Sequence, residues 1–177
     1  MKLKKVFKIW WGWDPGRIER YLEDMAAEGW KLMTVEFYQM LFGFISEKPA
    51  KTSYCVDYND KPNAEYLSII KDDGWELVNK CGGWILWRKD YKGSRPEIFT
   101  DVQSLIDRNK RLMIPLLIAL VLQIPILRII FKGQGYLGSP ILTVMIFAIY
   151  IPLIALLLFG IIMILISNHH LKKNRIR

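Results

Sequence analysis

Hydrophobic and polar positions follow two different patterns along the chain. Over residues 1–92, short runs rich in aromatic and β-branched residues alternate with amphipathic stretches of helical period, which predicts strands combined with surface helices. Later in the chain the apolar runs become much longer. Residues 112–131 are apolar apart from Gln123 and Arg128, and residues 141–166 contain no charge. Since roughly 20 apolar residues cross a bilayer core, these two runs predict transmembrane helices.

The first half of residues 1–92 predicts the order strand, helix, strand, strand. Asp14 and Pro15 suit the N-cap and the first position of a helix, and Gly29 suits its end. One face of this helix is apolar, at Ile18, Tyr21, Leu22 and Met25. The strands are predicted over residues 3–11, 30–38 and 40–46.

The second half repeats the first at an offset of 45 residues. The matching pairs are Tyr21 and Tyr66, Leu22 and Leu67, Met25 and Ile70, Glu28 and Asp73, Gly29 and Gly74, Trp30 and Trp75, and Leu32 and Leu77. A second helix is therefore predicted from Pro62 to Gly74, with strands over 53–58, 75–80 and 84–89. We expect a duplicated β-α-β-β unit of the α+β class, an antiparallel sheet with two helices on one face, with Trp30 and Trp75 at equivalent core positions.

The distribution of basic residues predicts how the chain is oriented in a membrane. Arg108, Lys110 and Arg111 precede the first apolar run, four more basic residues follow the second, and the loop between them holds only Lys132. By the positive-inside rule, both termini face the cytoplasm of a multi-pass plasma-membrane protein. The predicted order is a cytoplasmic domain, a hinge and juxtamembrane helix, a first span, an external loop, a second span and a basic tail, at 1–92, 93–111, 112–131, 132–139, 140–167 and 168–177.

The formal charge of +8 is a property of the membrane-flanking segments. Residues 1–92 contain 15 Lys and Arg against 14 Asp and Glu, a net charge of +1, whereas residues 93–177 contain 10 against 3, a net charge of +7. The bilayer, with its anionic headgroups, is therefore the expected partner of these basic residues. No direct contact with nucleic acid is expected.

The sequence provides few residues for catalysis. Its two histidines, His169 and His170, are adjacent, which argues against a catalytic triad and against a metal site, so we expect no enzyme activity, no metal and no cofactor. Cys55 and Cys81 lie on predicted strands and are interpreted as buried apolar residues. The acids of the first helix are interpreted as a solvated face, at Glu19, Glu23, Asp24 and Glu28.

A group of tryptophans marks the corner between the first strand and the first helix. Trp10, Trp11 and Trp13 lie within four residues, and alternate strand residues face opposite sides, so at least one ring should be buried and another exposed. Aromatic side chains dominate binding interfaces. We therefore take Trp11, Trp13 and Arg17 as the candidate surface for a partner or ligand.

Several of these motifs resemble a bacterial family, the domain of unknown function 2812. They are YLEDMAAEGWKL at residues 21–32, YCVDY at 54–58, Gly74-Trp75-Glu76 and Trp87-Arg88-Lys89. The resemblance implies a membrane protein with no catalytic residues to transfer. Members are commonly encoded beside PadR-type transcriptional regulators, which implies a PadR-type regulator or a membrane protein as partner.

Three functions are compatible with the sequence. The leading hypothesis is a membrane-anchored, non-enzymatic sensing or interaction module whose cytoplasmic domain binds a protein partner or a small ligand and regulates a transcription factor. The alternative is a subunit or accessory protein of a transporter, with Gln123 and Arg128 as polar residues in the first span. A membrane enzyme acting on lipid headgroups is the third. The oligomeric state is open.

Overall fold

The computed structural model describes residues 2–99, 102–132 and 140–175, and it divides into two units, Met1–Arg108 and Asn109–Arg177. In its described residues, the first unit contains six strands, two helices and the start of a third helix. In chain order these are β1 (Leu3–Phe7), α1 (Pro15–Ala27), β2 (Trp30–Glu36), β3 (Leu41–Ser46), β4 (Thr52–Tyr58), α2 (Ala64–Asp72), β5 (Glu76–Cys81) and β6 (Trp84–Asp90). The α+β class and the β-α-β-β order of both halves are confirmed.

The strands form two antiparallel sheets of three strands each, in place of the single sheet that we expected. Their orders are β1-β3-β2 and β4-β6-β5, so each half arranges its strands in the same way. The register shifts between Leu32 and Thr34 in one sheet and between Leu77 and Asn79 in the other, again at an offset of 45. Such bulges bend and twist a strand. Between the sheets, the Asn79 amide and the Arg88 guanidinium donate to carbonyls of β2, those of Val35 and Leu32.

The helices α1 and α2 lie against opposite faces of β4, and they do not share one face as predicted. Alternate residues of a strand point to opposite sides. Tyr54 and Val56 accordingly pack with Ile18 and Leu22 of α1 in one core, while Cys55 packs with α2 in a second core. The second core is formed by Cys55, Ile70, Trp75, Ile85 and Trp87. Trp75 is buried there, and Trp30 packs half-buried against the first core.

Both helices end at their predicted glycines, but only α1 begins where expected. Gly29 and Gly74 have φ of +86° and +84°, the left-handed conformation that ends a helix. The helix α1 begins at Pro15 after Asp14, although the Asp14 side chain forms no capping hydrogen bond. The helix α2 begins at Ala64, two residues after the predicted Pro62, because the Asn63 side chain accepts from the Tyr66 N–H at 2.8 Å.

The second unit consists of most of α3 (Val102–Lys132) and of α4 (Pro140–Arg175). Both are long and apolar enough to cross a membrane, with mean hydropathies of 2.3 and 3.0 in their most apolar stretches of 18 residues. They contact each other through polar pairs. The Asn109 amide donates to Asn168 at 2.8 Å, and the Tyr150 hydroxyl donates to the Gln123 side chain. Of the external loop predicted at 132–139, Lys132 ends α3, and residues 133–139 lie outside the described residues, as do Asp101 and Arg177.

Candidate functional site

The structure brings Trp11 and Trp13 together at the corner before α1. Their rings stack with centroids 4.8 Å apart and planes 12° from parallel, and Trp11 is 43% exposed. Trp10 points inward, where its indole N–H donates to the Gln39 carbonyl at 2.8 Å and its ring packs edge-on against Trp84. Arg17 is exposed in the first turn of α1. The use of this corner in binding stays a prediction.

A more enclosed site, which the sequence did not predict, lies beside β4. It is a cavity of about 160 Å³, close to the size that accepts a single benzene ring in an engineered protein core. Part of its wall comes from the folded core, at Glu19, Ser53, Tyr54, Cys55 and Trp75. The rest comes from the connector, which we define as residues 95–108, at Arg95, Pro96, Glu97, Ile98, Phe99, Leu105 and Arg108.

Two acids of α1 close the open edge of β4. Among the strands of the described residues, β4 pairs with β6 alone, so the N–H groups of Tyr54 and Val56 point away from the sheet. The Glu23 carboxylate accepts from the Tyr54 N–H at 3.2 Å, and the Glu19 carboxylate accepts from the Val56 N–H at 2.8 Å. Residues four apart on a helix face match every second residue of a strand closely enough for both bonds. Glu19 and Glu23 therefore cover a sheet edge, which corrects their interpretation as part of a solvated face.

Two arginines of the connector balance these acids. The Arg95 guanidinium binds the Glu23 carboxylate with N–O distances of 2.8 and 3.1 Å. The Arg108 guanidinium donates to the Val56 carbonyl at 3.3 Å, beside Glu19. The Ser53 hydroxyl also donates to the Pro96 carbonyl at 3.1 Å. The connector is thus fixed to the rest of the α+β unit by an ion pair and by hydrogen bonds from side chains to backbone carbonyls.

Burial changes the acidity of two groups that line the cavity. Desolvation raises the pKa of the Glu19 carboxyl above its ordinary value, against the opposing effects of the Val56 N–H and of Arg108. Desolvation also raises the pKa of the Cys55 thiol well above its ordinary value, which disfavours the thiolate form. Cys81, which we also expected to be buried, is half-exposed.

The chemistry that this cavity supports is binding. Trp75, Ile98 and Phe99 provide apolar walls, and the Glu19 carboxyl provides a hydrogen-bonding group that is partly withdrawn from water. Within residues 2–99, 102–132 and 140–175, no group of three or more His, Cys, Asp and Glu side chains could hold a metal ion.

Comparison with known proteins identifies a family. The model of a family described as "Protein of unknown function (DUF2812)" matches residues 14–121, more than half of the chain. The matched segment contains the whole cavity and the first part of α3, and it excludes β1 and α4. No curated protein and no solved structure is significantly similar to the chain.

Proposed function

The chain belongs to the DUF2812 family, and we propose that it is a membrane-anchored, non-enzymatic sensing module that binds a small ligand in the cavity beside β4. The observation that supports this function is that the cavity wall is formed partly by the folded core and partly by the connector. The connector forms part of the wall, and α3 runs without a break from Val102 to Lys132, so the same helix lines the cavity and continues into an apolar segment.

A bound ligand would act by holding the connector in place. It would contact the core on one side and Ile98, Phe99 and Leu105 on the other, which adds contacts that only the docked connector can make. A ligand shifts an equilibrium between two states only by its difference in affinity for them. Binding therefore favours the docked state of the connector over a state in which the Arg95–Glu23 ion pair is open. The helix α3 would transmit this change in the connector toward the membrane.

The walls of the cavity favour a ring-sized ligand with a hydrogen-bond donor. Trp75 and Phe99 offer aromatic surface, and one oxygen of the Glu19 carboxylate accepts a hydrogen bond from the Val56 N–H. The other oxygen of Glu19 can accept from an N–H or O–H of a ligand. A carboxylate ligand would instead bring a second acid next to Glu19, which electrostatic repulsion disfavours.

We further propose that α3 and α4 are transmembrane helices and that the α+β unit and both termini lie in the cytoplasm, as the flanking basic residues indicate. The signal would pass to a protein partner, for which the Trp11, Trp13 and Arg17 corner is the candidate surface. The transporter alternative has less support, because the polar Gln123 side chain already bonds to Tyr150 and to the Ala119 carbonyl.

The test uses the full chain in detergent micelles with three small probes: indole, benzylamine and benzoate. We expect indole and benzylamine to slow tryptic cleavage after the exposed Lys92, beside the connector, and benzoate to leave the cleavage rate unchanged. The variant Leu105→Trp fills the cavity and should abolish the protection. The control is Asp24→Asn, on the same helix as Glu19 but exposed and away from the cavity, which should keep the protection.

Two results would contradict the proposed function. The first is that none of the three probes protects the wild-type connector at millimolar concentration. The second is that Leu105→Trp retains full protection, since the probe would then bind elsewhere. Far-UV circular dichroism of each variant verifies that the fold is retained.

A further inference from the structure

The helix α1 lies between the two sheets and contributes to the core of both. The residues of the first sheet that share this core are Leu32, Phe42 and Phe44, and those of the second sheet are Tyr54, Val56 and Leu86. The second sheet also packs against α2 on its opposite face, through Cys55, Ile85 and Trp87. The second sheet is therefore covered by a helix on both faces, whereas the first sheet has α1 on one face and exposes large apolar side chains on the other.

The register of strand pairing aligns the two halves residue by residue. The residue just before the bulge pairs with Phe44 in the first sheet and with Trp87 in the second. These two residues pair in turn with Lys4 of β1 and Cys55 of β4, so Lys4 and Cys55 are equivalent. Counted along the strands from there, Leu3, Lys5 and Phe7 correspond to Tyr54, Val56 and Tyr58.

This alignment shows that one face of β1 is equivalent to the face of β4 that α1 covers. We call the residues Leu3, Lys5 and Phe7 the outer face of β1. Tyr54 and Val56 are each 1% exposed, whereas Leu3 and Phe7 are 81% and 57% exposed. The second half therefore shows what kind of element covers this face when it is buried, namely a helix.

The backbone of β1 is open in the same way as that of β4. Among the strands of the described residues, β1 pairs with β3 alone. Lys2 and Lys8 form backbone hydrogen bonds of 3.0 and 2.8 Å with the chain at the two ends of β3. Since alternate residues of an antiparallel strand bond to the neighbouring strand, the N–H groups of Leu3 and Lys5 point away from β3. They correspond to the two N–H groups of β4 that the acids of α1 bind.

We infer that the outer face of β1 binds an amphipathic helix of a partner protein, and that this helix carries two acids four residues apart. In the second half, the carboxylates of Glu19 and Glu23 accept from the outward N–H groups of β4 at 2.8 and 3.2 Å. The same spacing on a partner helix would place one carboxylate at the N–H of Leu3 and one at the N–H of Lys5. An open strand edge pairs readily with another chain, and a covering helix satisfies its donors.

The sequence argues against a second copy of this chain as the source of that helix. In α2, the counterpart of α1, Ala64 and Ser68 stand at the offset of 45 from Glu19 and Glu23. The sequence of α3 contains one acid, Asp107, and that of α4 contains none. The pair of acids in α1 is already bound to β4. The occupant is therefore a different protein, and the inference rests neither on the cavity nor on its ligand.

The experiment uses a fluorescein-labelled peptide of residues 14–28 as a stand-in for the partner helix. A side-chain lactam bridge between positions 20 and 24, which are exposed in α1, holds it helical. A second peptide is identical except that both positions 19 and 23 are alanine. Fluorescence anisotropy measures the binding of each peptide to the full chain in detergent micelles, and empty micelles give the background.

Two matched pairs of protein variants locate the binding site. Lys5→Pro removes the outward N–H without removing a bond to β3, a change that an edge strand tolerates, and Lys5→Val loses the same charge but keeps the N–H. Leu3→Gln removes apolar surface from the outer face of β1. Its control is Ile69→Gln on α2, a position that is 61% exposed. Circular dichroism verifies the fold of each variant.

We expect saturable binding of the first peptide and at least about tenfold weaker binding of the alanine peptide, because each acid accepts a hydrogen bond as a charged group. Lys5→Pro should bind the first peptide about tenfold more weakly than Lys5→Val. Leu3→Gln should weaken binding, and Ile69→Gln should leave it unchanged.

Four outcomes would overturn the inference. The first is no saturable binding of the first peptide, and the second is equal binding of the two peptides. The third is equal binding within either pair of protein variants, since the peptide would then lie elsewhere. The fourth is a dimer of the full chain in sedimentation velocity that Leu3→Gln dissociates, because a second copy would then occupy the outer face of β1.

Discussion

The two helix-ending glycines provide a matched pair of substitutions, Gly29→Ala and Gly74→Ala. They occupy equivalent positions in the two halves and have nearly the same φ, +86° and +84°. Their surroundings differ. A Cβ added at Gly29 would lie 2.7 Å from the Glu47 carbonyl oxygen, whereas one added at Gly74 would meet the flexible Lys89 side chain at 3.6 Å. Both substitutions therefore carry the free-energy cost of a left-handed alanine, and only Gly29→Ala adds a steric clash.

The shared cost follows from the left-handed conformation. An L-residue there loses about 1–2 kcal/mol, of which about 0.4–1 kcal/mol is offset by the lower entropy of the unfolded alanine chain. Gly74→Ala should thus lower the free energy of unfolding by about 1 kcal/mol. At Gly29 the Glu47 backbone cannot easily move, because its N–H donates to the Gly29 carbonyl at 2.8 Å. Relieving the clash should add about 1–3 kcal/mol, as overpacking does elsewhere.

The assay is a urea titration of the full chain in detergent micelles, followed by tryptophan fluorescence. Because all seven tryptophans lie within residues 1–92, the signal reports unfolding of the α+β unit alone. A domain of this size has roughly 5–15 kcal/mol of stability, so both variants should still fold and give complete transitions.

The reasoning is refuted if the two variants lose equal stability, or if Gly74→Ala loses more. Equal losses would mean that the backbone at Glu47, after β3, moves away from the added Cβ at little cost in free energy. A larger loss at Gly74 would mean that the two helix ends are not equivalent in the way that the common offset of 45 predicts.

Four further predictions concern the core, the cavity, the corner and the topology. Trp75→Ala, at a 2% exposed position, should cost about 3–5 kcal/mol in the same urea titration. Folding raises the pKa of the Glu19 carboxyl above its ordinary value of about 4.5, so the free energy of unfolding should fall as the pH rises from that value through the folded pKa. Urea titrations at a series of pH values across this range should show a shallower fall for Glu19→Gln. Trp11→Ala and Trp13→Ala should retain the fold, read by circular dichroism, and reduce partner capture from native membranes about thirtyfold; unchanged capture would eliminate the corner. Cysteine labelling should find residues 133–139 outside and both termini inside, and an external N-terminus would contradict the orientation.

Much of the local structure could be predicted from the sequence because its causes are local. The helix α1 begins at Pro15 and ends before Gly29 as predicted, since a proline fixes the first turn and a glycine permits the left-handed end. The strands were found from alternation and from aromatic content, with β1 shorter than predicted, at Leu3–Phe7. The apolar length of α3 and α4 is likewise a property of composition.

The turn at Phe37–Gln39 could not be predicted in the same way. Without a glycine, residues 37–39 give no local signal for positive φ, and the conformation depends on Gln39 reaching the carbonyls of Cys81 and Trp84, more than forty residues away. The exposure of the Phe37 and Tyr38 rings follows from that long-range contact.

The amphipathic helix α1, the glycine-ended helices and the long apolar segments were determined by the sequence alone, because propensity, capping and hydrophobic period act over a few neighbouring residues. The role of Glu19 and Glu23 was decided only by the tertiary structure. On a helical wheel they are surface acids, and they become acceptors for backbone N–H groups only because the order β4-β6-β5 leaves one side of β4 unpaired. An open strand edge must find hydrogen-bond acceptors, and which edge is open is a property of how distant segments pair.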